Sequence, residues 1–126
     1  MPLYCLIADD EPLARELIQS YVERLSGIEL AGVCTNLLDV YDHLMANPAI
    51  NVVFMDVELP VYTAHDWTAL ADFNDRMLWV VLVTAYPPAY LPAQTTDMAF
   101  AVLNKPVSFE RFCHVVDQIH DLAAKK

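Results

Sequence analysis

The six residues Asn51–Asp56 read NVVFMD, an apolar run closed by an amide at one end and a carboxylate at the other. A run with no polar face cannot lie half in water. It suits a strand covered on both sides, as in a parallel sheet flanked by helices. Leu78–Thr84, LWVVLVT, repeats the pattern and is rich in β-branched residues. Leu3–Ala8 and Glu29–Cys34 also read as buried strands, and Ala99–Leu103 is a fifth, less clean one.

Helical periods fill the gaps. Leu13, Leu17, Tyr21 and Leu25 recur every four residues behind Pro12, which suits a first helical turn. Leu37, Tyr41, Leu44 and Met45 follow Thr35–Asn36, a capping pair. Phe109, Phe112, Val116, Ile119 and Ala123 mark a last helix with Ser108 as its N-cap. Pro60–Asn74 and Tyr86–Met98 are weaker. Pro87, Pro88 and Pro92 make any helix in the second stretch short, late or distorted. Strand and helix alternate five times, which predicts an α/β sandwich around a parallel sheet.

The 126 residues fit one domain, 1–126, with residues 122–126 a helix end or the start of a linker to an output domain. The formal net charge of −10 repels phosphate backbones, so no nucleic acid is expected on this domain alone. No apolar run is long enough to span a membrane and the N-terminus lacks a basic leader, so the expectation is a cytoplasmic, non-membrane chain. Cys5, Cys34 and Cys113 lack zinc-like spacing and read as buried, reduced thiols. His43, His65, His114 and His120 show no metal-ligand pairing and read as solvated or interfacial. With only two glycines there is no Gly-rich phosphate loop.

The acids carry the chemistry. Asp9 and Asp10 end the first strand and Asp56 ends the third. In an open α/β sheet, ligands bind beyond the carboxyl ends of the strands, where strand order reverses. In the order 2-1-3-4-5, strands one and three are neighbours there, and the three carboxylates converge. Together they repel, and a cation holds them ionised. Oxygen donors suit Mg²⁺. Thr84 and Lys105, after strands four and five, offer a hydroxyl and a compact positive charge for phosphoryl oxygens. A carboxylate can itself be the nucleophile. Any one of these acids alone is most simply a turn or cap residue. The signal lies in five residues on four strands at one sheet edge.

These residues sit in ADDEPLARE (Ala8–Glu16), FMDVELP (Phe54–Pro60), VTAY (Val83–Tyr86) and LNKPVSFERF (Leu103–Phe112). Together they resemble the receiver domain of two-component response regulators over essentially the whole chain. DDEPLARE and KPVSFERF are most similar to receivers of LytTR-type regulators, whose partner domain binds DNA. The resemblance implies a flavodoxin-like three-layer sandwich, a five-stranded parallel sheet in the order 2-1-3-4-5 with helices on both faces. It implies that Asp56 accepts a phosphoryl group from a sensor histidine kinase. Asp10 would be a direct ligand of Mg²⁺ (or Mn²⁺), Asp9 would hold a metal-bound water, and Glu58 would complete the metal site through its backbone carbonyl. Thr84 would be the switch hydroxyl and Lys105 the phosphoryl-pairing lysine, with a cis Lys105–Pro106 bond. The phosphoryl group would later be lost to water, so the domain is a self-modifying switch and not a turnover enzyme. Homodimerisation through the face of the family's fourth helix, fifth strand and fifth helix would be an output.

The chain departs from this pattern at Val102, where the family carries an aromatic; Tyr86, Tyr90 and Phe100 are candidates to replace it. It also departs at Val61–Ala64, where the family carries glycines. These departures keep open an alternative, a receiver-like interaction module with weak or no phosphorylation-dependent switching. A phosphatase using Asp56 as nucleophile, with Glu58 as general acid, is a third and weaker reading.

Overall fold

The computed structural model describes residues 2–59, 76–91 and 97–125. Five strands form one sheet: β1 (Leu3–Ala8), β2 (Ile28–Cys34), β3 (Val52–Asp56), β4 (Trp79–Thr84) and β5 (Ala101–Asn104). Their order is β2-β1-β3-β4-β5 and every pairing is parallel. Three helices are described: α1 (Pro12–Glu23), α2 (Leu37–Ala46) and α3 (Phe109–Ala124). This is the α/β sandwich expected from the alternation, in the flavodoxin-like order that the family resemblance implied. The expected loop departure at Val61–Ala64, His65, the stretch 60–74 and residues 92–96 of the proline-rich stretch lie outside the described residues.

The alternation of side chains along each strand builds two cores. Cys5, Ile7, Val52, Phe54, Val81 and Val83 face α1 and α3, while Leu6, Ala8, Val53, Met55, Val80 and Leu82 face α2. Every residue of β3 and β4 is buried, which is why those runs carry no polar alternation. On the first face Phe54 packs on Phe112 with ring centroids 5.0 Å apart. Fully burying a side chain of this size contributes roughly 1.5–3 kcal/mol.

The helix starts follow the sequence. Pro12 occupies the first turn of α1, the Asn36 side chain accepts from the Asp39 N–H at 2.9 Å, and Ser108 accepts from the Arg111 N–H at 3.2 Å. The buried stripe of α1 differs from the expected one. It is Ile18 and Val22, with Tyr21 and Leu25 packed at its margin and Leu13 76% exposed. A four-residue repeat advances 400° where a turn is 360°, so it drifts round the helix and only part of it meets the sheet. In α2 the buried set is Leu37, Val40 and Leu44, and Met45 points to solvent. The last helix runs to Ala124, with Ala123 buried. Among the described residues after β4, Pro88–Tyr90 forms a 3₁₀ turn.

Two polar anchors lock the lower edge of the sheet. The Asn51 side chain accepts from the Tyr4 N–H at 2.8 Å, bridging β1 and β3. The Arg76 guanidinium donates to the carbonyls of Leu44 (2.6 Å), Asn47 (2.9 Å) and Ile50 (2.6 Å). It therefore caps the carboxyl end of α2, where a cation also meets the helix dipole. Gly27, at φ +80°, makes the turn into β2 that a side chain would strain. No helix among the described residues is long and apolar enough to cross a membrane.

Candidate functional site

The register places the site. Ala8 pairs with Met55, and Asp56 pairs with Val83, so Asp9 and Asp56 emerge side by side from β1 and β3. Both are buried, at 5% exposure each, while Asp10 is exposed. Carboxylate oxygens of Asp9, Asp10 and Asp56 lie within 4.8 Å of one another.

Lys105 follows β5 and reaches back across β4. Its Nζ lies 3.0 Å from Asp9 Oδ2 and 3.4 Å from Asp56 Oδ2. Main-chain donors hold the remaining oxygens. The Glu11 N–H donates to Asp9 Oδ1 at 2.9 Å, and the Glu58 N–H donates to Asp56 Oδ1 at 3.1 Å. Arg15 fixes the Asp9 carbonyl at 2.9 Å from the next turn of α1. The Lys105–Pro106 bond is cis, as the family resemblance implied.

Electrostatics follow from this packing. Burial pushes the Asp56 carboxyl above its usual range; the Glu58 N–H opposes this, the Asp9 charge adds to it, and Lys105 opposes it. Lys105 is raised overall: burial lowers it, but the Asp9 and Asp56 carboxylates together outweigh that. The ammonium thus offsets part of the repulsion among three acids.

The expected residues converge to different degrees. Asp9, Asp10, Asp56 and Lys105 form one cluster. Glu58 joins it through its N–H; its exposed carboxylate bonds the Tyr86 hydroxyl and so raises that phenol. Thr84 is buried at the same edge, but its Oγ1 accepts from the Tyr86 N–H at 3.0 Å. Asn104, opposite Thr84 on β5, donates to the Tyr86 carbonyl at 2.8 Å. Of the aromatics considered in place of position 102, Tyr86 and Tyr90 are exposed, and Phe100 packs against the core shared with α1 and α3. Val102 itself packs on the opposite core.

An all-oxygen donor set of three carboxylates, one of them exposed, fits a hard divalent cation such as Mg²⁺. Glu58 contributes a turn beside it.

Two sequence expectations change. Cys5 and Cys34 are buried, and burial raises both thiols to about 12, for Cys34 with help from the Asp39 charge. Cys113 is only half-buried, because it lies on the flank of α3 between Phe112 and His114. His43 is paired after all: Cys34 Sγ, Asp39 and His43 bring potential ligand atoms within 4.8 Å of one another. The Asp39–His43 spacing of one helical turn was visible in the sequence, but its cysteine partner comes from the neighbouring strand.

A parallel 2-1-3-4-5 sheet with an acidic pocket and a lysine at its switch point defines a flavodoxin-like α/β domain. The chain belongs to the response regulator receiver domain family, whose model matches residues 5–117. It is 33% identical over 122 residues to an uncharacterized response regulatory protein of Vibrio vulnificus, covering 97% of this chain and 49% of that protein. It is 31% identical over 107 residues to the transcriptional regulatory protein BtsR of Escherichia coli K12, covering 84% of this chain and 43% of that protein. The chain thus spans about half the length of the curated relatives it matches. Among solved structures, the response regulatory domain of mrkE from Klebsiella pneumoniae superposes with a TM-score of 0.80 at 21% identity, covering 98% of this chain and all of that one. A chain of the complex between the P1 domain of CheA3 and CheY6 from R. sphaeroides matches with a TM-score of 0.75 at 20% identity, covering 98% of each. Receiver domains of this family are phosphoaccepting signalling switches, not classical turnover enzymes.

Proposed function

We propose that Asp56 is the phosphoacceptor of this receiver domain and takes its phosphoryl group from a phosphohistidine of a sensor histidine kinase. The observation that carries this reading is Lys105, whose ammonium bridges Asp9 and Asp56 at 3.0 and 3.4 Å. Asp56 Oδ1 is fixed by the Glu58 N–H, so Oδ2, the oxygen facing Lys105, is the candidate nucleophile. As Oδ2 attacks phosphorus, the bond to the histidine nitrogen breaks and the electron pair leaves with the imidazole. Lys105 then pairs with a phosphoryl oxygen in place of the carboxylate, at little positional cost.

Asp9, Asp10, Asp56 and the Glu58 carbonyl would hold Mg²⁺ or Mn²⁺. When bound, that ion neutralises charge on the transferring group. Thr84 is the candidate switch: its Oγ1 only accepts from the Tyr86 N–H, which leaves the O–H to donate to the phosphoryl group once the side chain turns toward it. A cytoplasmic location, a LytTR-type DNA-binding output domain beyond this chain, and dimerisation through the β5–α3 side go with this reading. So does the assignment of residues 1–126 to a single receiver domain. Incubation with Mg²⁺ and a small acyl phosphate tests it. One phosphoryl mass is expected on the wild type and none on Asp56→Asn, and an Asp56→Asn chain that still gained it would sink the assignment.

A second reading, a receiver-like interaction module that switches weakly, is favoured by Val102, which packs on the α2 side where the family carries an aromatic. Oligomeric state with and without beryllofluoride separates the two. A change in assembly supports the switch, and an unchanged size and backbone spectrum supports the module.

A further inference from the structure

Behind the acidic pocket, on the α2 side of the sheet, the carboxyl end of β2 meets the first turns of α2. Cys34 is fully buried there, and its Sγ lies 3.5 Å from His43 Nδ1. Asp39 sits one helical turn before His43 on the same face of α2, and ligand atoms of Cys34, Asp39 and His43 all lie within 4.8 Å of one another.

We infer that Cys34, Asp39 and His43 form a binding site for a transition-metal ion of the zinc class, distinct from the acidic pocket. The donor set is thiolate, imidazole and carboxylate, which zinc and cobalt accept and Mg²⁺ does not favour. The spacing fits as well. With metal–sulfur and metal–nitrogen bonds of about 2.3 and 2.0 Å, a tetrahedral centre separates S and N by about 3.5 Å. The Cys34–His43 separation is 3.5 Å.

Two irregularities of β2 set up this meeting. A register shift opposite Cys5 and Leu6 skips Ala31, so that Leu6 pairs with Gly32 and Ala8 with Cys34. Such a bulge re-aims the residues after it. Cys34 joins Leu6 and Ala8 on the α2 face, whereas Ile28 belongs to the opposite core. At Gly32 the backbone angle is ordinary, yet a Cβ would lie 2.7 Å from His43 Cδ2 and 2.8 Å from Nε2. The missing side chain is the space in which the imidazole lies, and that seat turns Nδ1 toward Cys34.

His43 Nδ1 lies 2.9 Å from the Asp39 carbonyl, which can only accept, so Nδ1 carries the ring proton in this arrangement. Binding requires the imidazole to turn its Nδ1 away from the Asp39 carbonyl, to carry the ring proton on Nε2 instead, and the Cys34 thiol to release its proton to buffer. The new bonds are metal–S, metal–Nδ1 and metal–O, and one proton leaves per ion bound. Water or an outside ligand completes the fourth position. The Cys34 carbonyl accepts from the Asp9 N–H at 3.0 Å, so the site adjoins the chain segment that holds Asp9.

Titrating the full chain with Co²⁺ in excess Mg²⁺ tests this, because a thiolate–cobalt charge-transfer band reports sulfur ligation and ignores the carboxylate pocket. The band should saturate at one equivalent and vanish on adding one equivalent of Zn²⁺. Cys34→Ser should abolish it. His43→Gln, at a half-buried position where far-UV spectra check folding, should weaken Co²⁺ binding at least tenfold. Absence of the band overturns the proposal. So does a band that survives Cys34→Ser, or one whose titration His43→Gln leaves unchanged.

Discussion

Replacing Lys105 by methionine removes the charge and keeps an unbranched side chain one atom shorter. The ammonium lies 3.0 Å from Asp9 and 3.4 Å from Asp56, and the lysine side chain is 21% exposed. At an effective dielectric of about 20, one such contact is worth roughly 5 kcal/mol before desolvation is subtracted. Removing one partner of a buried pair costs about 3–5 kcal/mol. Partial exposure brings the expected loss to about 2–3 kcal/mol at neutral pH. The sign with pH follows from the carboxylates. Asp56 is already held above its usual range, and losing Lys105 raises it further. Protonation then relieves the repulsion, so the deficit is largest at pH 7 and shrinks as pH falls through the carboxylate range. Lys105, itself raised, contributes its stability fully below the ordinary lysine range and loses it as pH climbs through its folded value. Urea melts in EDTA at pH 7 and pH 4 measure this. The midpoint should drop by about 1–2 M at pH 7 and clearly less at pH 4. An equal drop at both pH values would refute the electrostatic reasoning.

Asp56→Asn should raise the denaturation midpoint at neutral pH, because a carboxyl raised by burial disfavours folding once ionised; a lowered midpoint would contradict the burial cause. Arg76→Ala strips the donor from three carbonyls between α2 and β3 and should cost about 2–4 kcal/mol in urea melts. Tyr21→Phe removes only the hydroxyl that donates to the Val107 carbonyl at 2.7 Å, and about 1 kcal/mol is expected in the same assay.

The strands were legible because burial on both faces leaves an unbroken apolar run, as in Asn51–Asp56. The pocket was legible because Asp9, Asp56, Thr84 and Lys105 each end a strand, and parallel strands deliver their carboxyl ends to one edge. The seat of α1 was not. Leu13, Leu17, Tyr21 and Leu25 repeat every four residues, and the drift of that repeat put Ile18 and Val22 on the sheet instead. The Cys34–His43 pairing was hidden for another reason. It depends on a one-residue shift in β2, which no local pattern announces and which turns every later side chain to the other face. Thr84 shows the remaining gap: the sequence placed its backbone, but not the N–H of Tyr86 that holds its hydroxyl.

Borohydride trapping tests the central claim most directly. The chain is phosphorylated with an acyl phosphate and Mg²⁺, reduced, digested and mapped by mass spectrometry. An aspartyl phosphate is reduced to homoserine at the residue that carried it. The account predicts that conversion at Asp56 alone. Homoserine at Asp9 or Asp10, or none at any residue of a fully folded chain, would contradict it.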